Sequence, residues 1–334
     1  MASDAKLSAA VTAKTRLPHQ AVSPHRVGAA AVDQAEGLRR LLVCNQTRVI
    51  TVVAGKSGVG RTSMTINLAA ALARSGKDVL VLDENHAPNN LLDSVGLHAR
   101  HDLLDVAQGK CKPREAVLSA KGFAVLPTAR AMSALAKLKP AEQQRLESAL
   151  TEVSAGMDIM LVDAAMLVGQ AAVSSSLANG AALLVVVDAT ASGITESYAL
   201  IKKLALENAC LQFEIVVNKV VDAKAARIVF ENMAKVARRN LAARLGYLGY
   251  IPLDDRLKRA TQLGRSVVEA FPASVSAESY LELSQSLLRL PTQQDASEAG
   301  ISNMVQSLIR HVSSSAQRRN VTRCKLEECI THRG

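Results

Sequence analysis

Tryptophan is absent from the sequence, and phenylalanine and tyrosine number four each among 334 residues. So few rings leave the core to aliphatic side chains and exclude a base-stacking platform for single-stranded nucleic acid. Long apolar runs are also lacking. The longest unbroken stretch lies around Ala181 to Val187, too short to span a bilayer. The N-terminus has no apolar segment of the secretory type. The five cysteines, at positions 44, 111, 210, 324 and 329, are scattered and odd in number, which argues for reduced cytosolic thiols over a disulfide framework. Cys324, Cys329 and His332 have a loose metal-like spacing but no fourth ligand nearby, and we treat it as coincidence. The net charge of +10 is concentrated at the ends. Residues 1–48 carry +4 and residues 301–334 carry +4, leaving +2 for the long middle. The globular part is therefore not an obvious nucleic-acid surface.

What is present is a globular composition, 49% hydrophobic and 21% charged. The length suits one large domain or two small ones. From Val49 to about Leu290, β-branched apolar runs at 49–54, 79–82, 159–162, 183–187 and 215–217, with a shorter run at 123–126, alternate with amphipathic stretches such as 64–74, 141–153, 194–206 and 223–242. Near-continuous Val/Ile/Leu runs separated by helices predict a mostly parallel sheet covered on both faces, an α/β fold. In such a fold ligands bind at the C-terminal ends of the strands.

One loop sits at such an end. Gly55-Lys56-Ser57-Gly58-Val59-Gly60-Arg61-Thr62 follows the strand run and precedes Ser63 and a helical pattern. Strand, Gly-rich loop and helix form the context of a phosphate-binding loop: the glycines let several N–H groups converge on one anion, and the helix N-terminus adds its partial positive charge. Incidental glycines at a strand-to-helix turn would give the same local string, but the flanking patterns favour the phosphate loop. Thr62 stands where a hydroxyl would meet a magnesium ion. The usual pattern ends Gly-Lys-Ser/Thr, and here Arg61 takes the lysine position.

The ends of the chain read differently. Residues 1–30 show no period and read as a mobile arm. In the segment 33–42, Ala35, Leu38 and Leu42 share one face of a short helix, with Asp33 as N-cap and Glu36 three residues on. This helix could pack on the domain or serve as a docking peptide. A polar linker follows Pro291. Then Ile301, Met304, Val305, Leu308, Ile309 and Val312 follow a clean helical period, with basic residues after them. This helix could fill a groove of its own domain or lie on an anionic membrane. The expected division is an arm at 1–45, a nucleotide-binding domain at 46–290, and a linker and basic amphipathic tail at 291–334.

Three further segments complete a pattern: the strand 79–82 followed by Asp83-Glu84-Asn85, the strand 158–162 ending in Asp163, and the strand 213–217 ending in Asn218, with Gly249-Tyr250-Ile251-Pro252-Leu253-Asp254 beyond. With Lys56 at the front of the loop, the chain resembles the MinD/ParA-type ATPases, which carry a deviant Walker A motif on a three-layer P-loop NTPase fold. Within that group it is similar to the flagellar-number regulators of the FlhG/FleN type. The segments at 33–39, 193–202 and 247–254 carry that finer likeness.

The resemblance implies a set of roles. Gly55, Lys56, Ser57, Gly58, Val59, Gly60, Arg61, Thr62 and Ser63 would form the ATP-binding loop, with backbone groups of residues 57–62 cradling the phosphates. Lys56 would act catalytically across a nucleotide-sandwiched homodimer. Thr62 and Asp163 would hold Mg2+, Asp83 would belong to the nucleotide site, and Asn218 would read the adenine edge. Asp33, Gln34, Leu38 and Arg39 would dock on an FlhF-type GTPase. Ile301, Met304, Val305, Leu308 and Ile309 would face the membrane, making the protein cytoplasmic with reversible peripheral attachment.

Four departures from the family pattern cluster at the catalytic face. Arg61 replaces lysine, with a larger and planar cation. Asn85 replaces the carboxylate that orients the attacking water, and an amide cannot act as a base. Ala164-Ala165-Met166-Leu167 replaces a stretch with a hydroxyl and a glycine. Asp188-Ala189-Thr190-Ala191 replaces a proline-containing stretch. The expected protein binds nucleotide weakly and hydrolyses it slowly or not at all. A nucleotide-independent adaptor on the same fold, and a ParA-like DNA-partitioning or transcription-related factor, are the competing readings.

Overall fold

The computed structural model describes residues 47–86, 88, 90–165, 182–207, 212–241 and 243–291. The chain divides after Cys44, and everything described belongs to the second unit. The residues at 33–39, the linker after 291, the terminal helix and Met166 to Leu167 lie outside the described residues.

Eight strands form one sheet in the order β3-β4-β2-β5-β1-β6-β7-β8. They are β1 (Arg48–Ala54), β2 (Val79–Asp83), β3 (Leu118–Ser119), β4 (Ala124–Pro127), β5 (Ile159–Asp163), β6 (Ala182–Asp188), β7 (Gln212–Val220) and β8 (Arg244–Pro252). All neighbours pair in parallel except β3 and β4. The long helices are α1 (Arg61–Arg74), α2 (Pro140–Ser154), α3 (Ala191–Glu207), α4 (Ala223–Asn240) and α5 (Val275–Arg289). The parallel sheet covered by helices is the α/β fold expected from the alternating runs.

The sheet is buried on both sides. Ile50, Val52, Val79, Val81, Leu161 and Leu184 join α1 and α5 in one core. Their neighbours along the strands turn the other way. Leu80, Leu82, Met160 and Val162 meet α2 in a second core, and Leu183, Val185, Ile215 and Val217 meet α3 and α4 in a third. Because both faces are covered, the strands read as unbroken apolar runs and not as alternations. Alanines at 69, 70 and 71 let α1 lie close to the sheet. That packing fixes its N-terminus at the C-terminal edge of β1.

Several elements escape the sequence reading, β8 and α5 the longest among them. β8 is a nine-residue strand with burial between exposed and core along most of its length, because it is the sheet's edge. Its glycines and aromatic residues conceal the strand signal. The helix α5 buries Ser276, Ser279 and Ser284 beside its leucines, which blurs an amphipathic pattern.

Candidate nucleotide site

The loop 55–60 runs from β1 into α1. Gly55 is required by packing: a Cβ there would fall inside van der Waals contact with the backbone of Glu196 and Ser197 on α3. Gly60 is the N-cap of α1 and adopts a left-handed conformation, φ 97°. A Cβ on Gly60 would come 2.5 Å from Nδ2 of Asn218. Val59 is fully buried and anchors the loop in the core, while Ser57 and Gly58 are exposed. No side chain caps α1, and its first turn holds no acidic residue. The N–H donors that open this helix are therefore unopposed by protein anions on the helix itself, the arrangement that suits a phosphate.

Behind the loop lies a closed polar cluster. Asp163, at the end of β5, is fully buried. Arg61 Nε donates to its Oδ1 at 2.8 Å, and Thr65 Oγ1 donates to the same oxygen at 3.3 Å. Thr62 Oγ1 donates to Oδ2 at 2.8 Å, and Asn85 Nδ2 donates to Oδ2 at 2.8 Å. Arg61 Nη2 in turn donates to Asn85 Oδ1. Arginine, asparagine and aspartate thus form a ring in which each side chain binds the other two.

Asp83 serves this ring from below. It accepts from the backbone N–H of Asn85 at 3.1 Å and of Leu91 at 2.9 Å. It therefore holds the loop after β2 and the start of the helical turn Leu91–Ser94. Burial first, and the nearby Asp163 carboxylate second, push its carboxyl up to about 6 against those hydrogen bonds. Through these bonds Asp83 positions Asn85 beside the loop.

On the other flank, Asn218 Nδ2 donates to the carbonyl of Val59 at 2.7 Å. Lys219 Nζ donates to the carbonyl of Gly58 at 2.6 Å. Lys219 has φ 58°, and it is the one non-glycine residue with positive φ among those described. The end of β7 therefore stitches the loop in place through two consecutive residues. Lys56 Nζ donates to Ser192 Oγ at 2.6 Å, at the start of α3. Sequence reasoning missed Lys219, Ser192 and Thr65. The parallel pairing that brings β7 beside β6, and β6 beside β1, is what carries the first two to the loop.

The residues fit a phosphate: uncapped helix donors, a left-handed glycine, and Lys56, Arg61 and Lys219 around one loop. The fit to Mg2+ is different in kind. Thr62 and Asp163 supply the hard oxygens such an ion takes, but both carboxylate oxygens already accept hydrogen bonds. Among the described residues no cluster of three His, Cys, Asp or Glu side chains could hold a metal ion.

The fold and the loop define a nucleotide-binding domain of the P-loop class. The family model CbiA, the CobQ/CobB/MinD/ParA nucleotide binding domain, matches residues 50–267, and the chain belongs to that family. The antiactivator FleN of Pseudomonas aeruginosa is 32% identical over 270 residues, covering 80% of this chain and 96% of FleN. The flagellum site-determining protein YlxH of Helicobacter pylori is 30% identical over 218 residues, 64% of this chain and 72% of that protein. Among solved structures, the cell division ATPase MinD of Pyrococcus furiosus aligns with a TM-score of 0.57 at 24% identity, over 74% of this chain and all of that one. The resemblance to the MinD/ParA proteins read from the sequence is thus the family to which the chain belongs.

Proposed function

We propose that this chain is a nucleotide-binding regulator of flagellar number and assembly, of the FleN kind, in which ATP hydrolysis is slow or lost. Likeness to FleN along nearly that protein's whole length supports the biological role. The observation that carries the chemical part is the ring of Arg61, Asn85 and Asp163. Asn85 occupies the place of the water-orienting carboxylate, and both ends of its amide are engaged, the oxygen by Arg61 and the nitrogen by Asp163. An amide held at both ends in this way offers no carboxylate to accept a water's proton.

In this reading residues 55–63 hold the phosphates of ATP, with Lys56 reaching a partner's nucleotide in a homodimer. Asn218 reads the base and Asp83 supports the site from beneath. Thr62 and Asp163 are the residues that would hold Mg2+ in the family pattern, and here they are hydrogen-bonded to each other, with Asp163 also bound by Arg61 and Asn85. Residues 1–45 form an arm whose Asp33, Gln34, Leu38 and Arg39 dock on an FlhF-type GTPase. The tail at 291–334 attaches reversibly to an anionic membrane through Ile301, Met304, Val305, Leu308 and Ile309, and the protein is otherwise cytoplasmic. Among the described residues no helix is long and apolar enough to cross a membrane.

The test has two arms. Titration of the full chain with a fluorescent ATP analogue should give saturable binding; no binding at millimolar nucleotide would refute the nucleotide reading. Pull-down of a purified FlhF-type GTPase should succeed with the natural chain and fail with Gln34→Ala/Leu38→Ala. Undiminished capture by that variant would remove the docking role.

The closure of Arg61, Asn85 and Asp163 on one another also favours a second reading, a nucleotide-independent adaptor. In that case Arg61→Ala leaves cellular function intact.

A further inference from the structure

We propose that Arg61 is a built-in counter-ion that takes the place of the divalent metal, so that this chain holds nucleotide without Mg2+. The inference rests on the reading of the loop at 55–63 as a nucleotide site.

The first ground is the state of Asp163. A carboxylate offers about four lone-pair directions. Here Oδ1 takes a hydrogen bond from Arg61 and lies 3.3 Å from Thr65 Oγ1, whose one proton also has the Arg61 carbonyl at 3.2 Å, and Oδ2 takes hydrogen bonds from Thr62 and Asn85. A metal-bound water that addressed Oδ2 would have to displace Thr62 or Asn85, and one that addressed Oδ1 would have to share it with the Arg61 guanidinium. That guanidinium is itself the cation, 2.8 Å away with a side chain only 11% exposed.

The second ground is that Arg61 and Asn85 match each other chemically. The amide presents its oxygen to the guanidinium and its nitrogen to Asp163. A carboxylate at position 85 would put a second negative oxygen against Asp163 Oδ2, and that pair would call for an additional cation. Asparagine removes the demand. The lysine of the ordinary pattern would meet Asp163 and Asn85 with one rotatable point charge in place of a fixed planar fork.

The third ground is the donors left over. A guanidinium carries five N–H groups. Asp163 takes the one on Nε and Asn85 takes one on Nη2, which leaves three on a cation in the first turn of α1. Guanidinium groups bind phosphate oxygens through paired N–H donors. In this proposal those three donors meet the phosphates while the Arg61–Asp163 pair stays in place. The ligand class is a nucleoside di- or triphosphate free of metal.

The experiment measures the dissociation constant of mant-labelled ADP for the full chain in excess Mg2+ and again in excess EDTA. The ratio of the two constants is the readout. The natural chain should give a ratio within about threefold, and a larger loss in EDTA overturns the proposal. Asn85→Asp should raise the EDTA penalty to about tenfold or more, with binding recovered on adding Mg2+. Arg61→Lys should act in the same direction. A merely loosened fold weakens binding in both buffers and leaves the ratio where it was, so an unmoved ratio in the folded variants also overturns the proposal. If Arg61→Lys fails to fold, Asn85→Asp and the natural chain decide. Binding that requires Mg2+ sinks this inference alone, whereas absence of binding in both buffers sinks the nucleotide reading and this inference with it.

Discussion

Arg61 Nε and Thr62 Oγ1, on consecutive residues at the start of α1, donate to opposite oxygens of the fully buried Asp163 carboxylate, each at 2.8 Å. The phosphate loop is thereby tied to the end of β5 through its own helix, and the tie is electrostatic as well as geometric. Removing the carboxylate leaves a nearly buried guanidinium without its anion. Asp163→Ala should destabilise the protein by about 3–5 kcal/mol, the cost of breaking a buried pair on one side. Denaturant unfolding would measure it. A loss below about 1 kcal/mol would mean the pair is open to water and contributes little.

Gly60 and Asn218 should be energetically coupled. A methyl group on Gly60 meets both a backbone at φ 97° and the amide nitrogen of Asn218 at 2.5 Å. Shortening Asn218 to alanine removes the second conflict but not the first. In a double-mutant cycle, Gly60→Ala should therefore cost about 1 kcal/mol less in the Asn218→Ala background than in the natural one. Strict additivity would show that the loop rearranges and that the close approach does not govern the choice of glycine.

Much of this was legible from the sequence, and the reasons are physical. Six strands announce themselves as apolar runs because helices cover both faces of the sheet. The edge strand β8 does not, since Gly246 and Gly249 interrupt it and only part of it is buried. Lys56, Arg61 and Asn85 stand out by their departure from a familiar spacing. The role of Asp83 does not, because nothing in the string Asp83-Glu84-Asn85 says that its carboxylate turns to the backbone of Leu91. Lys219 was silent for the same reason. Its contact with Gly58 spans more than 150 residues of chain and exists only because of strand order.

Asp83 should leave a mark on the pH dependence of stability. Its carboxyl titrates near about 6 in the folded protein, against an ordinary value of 3.8. Between those two values the folded state binds a proton that the unfolded state releases. The free energy of unfolding therefore falls as pH rises through the window from about 4 to about 6, by at most about 3 kcal/mol. The contribution of neutral Asp83 is present in full below the window and lost above it. Asp83→Asn should remove this slope. Unfolding curves collected at several pH values for both proteins would test it, and parallel pH profiles would contradict it.

We propose that this fold keeps the nucleotide and has given up most of its chemistry, with Arg61, Asn85 and Asp163 bound to one another where the family pattern has a water-orienting carboxylate. The direct measurement is phosphate release from radiolabelled ATP by the full chain at saturating nucleotide, beside a MinD-type cell division ATPase under the same conditions. The account predicts saturable binding with turnover lower by about a hundredfold or more, the scale of losing a general base. Turnover equal to that of the MinD-type enzyme would contradict it.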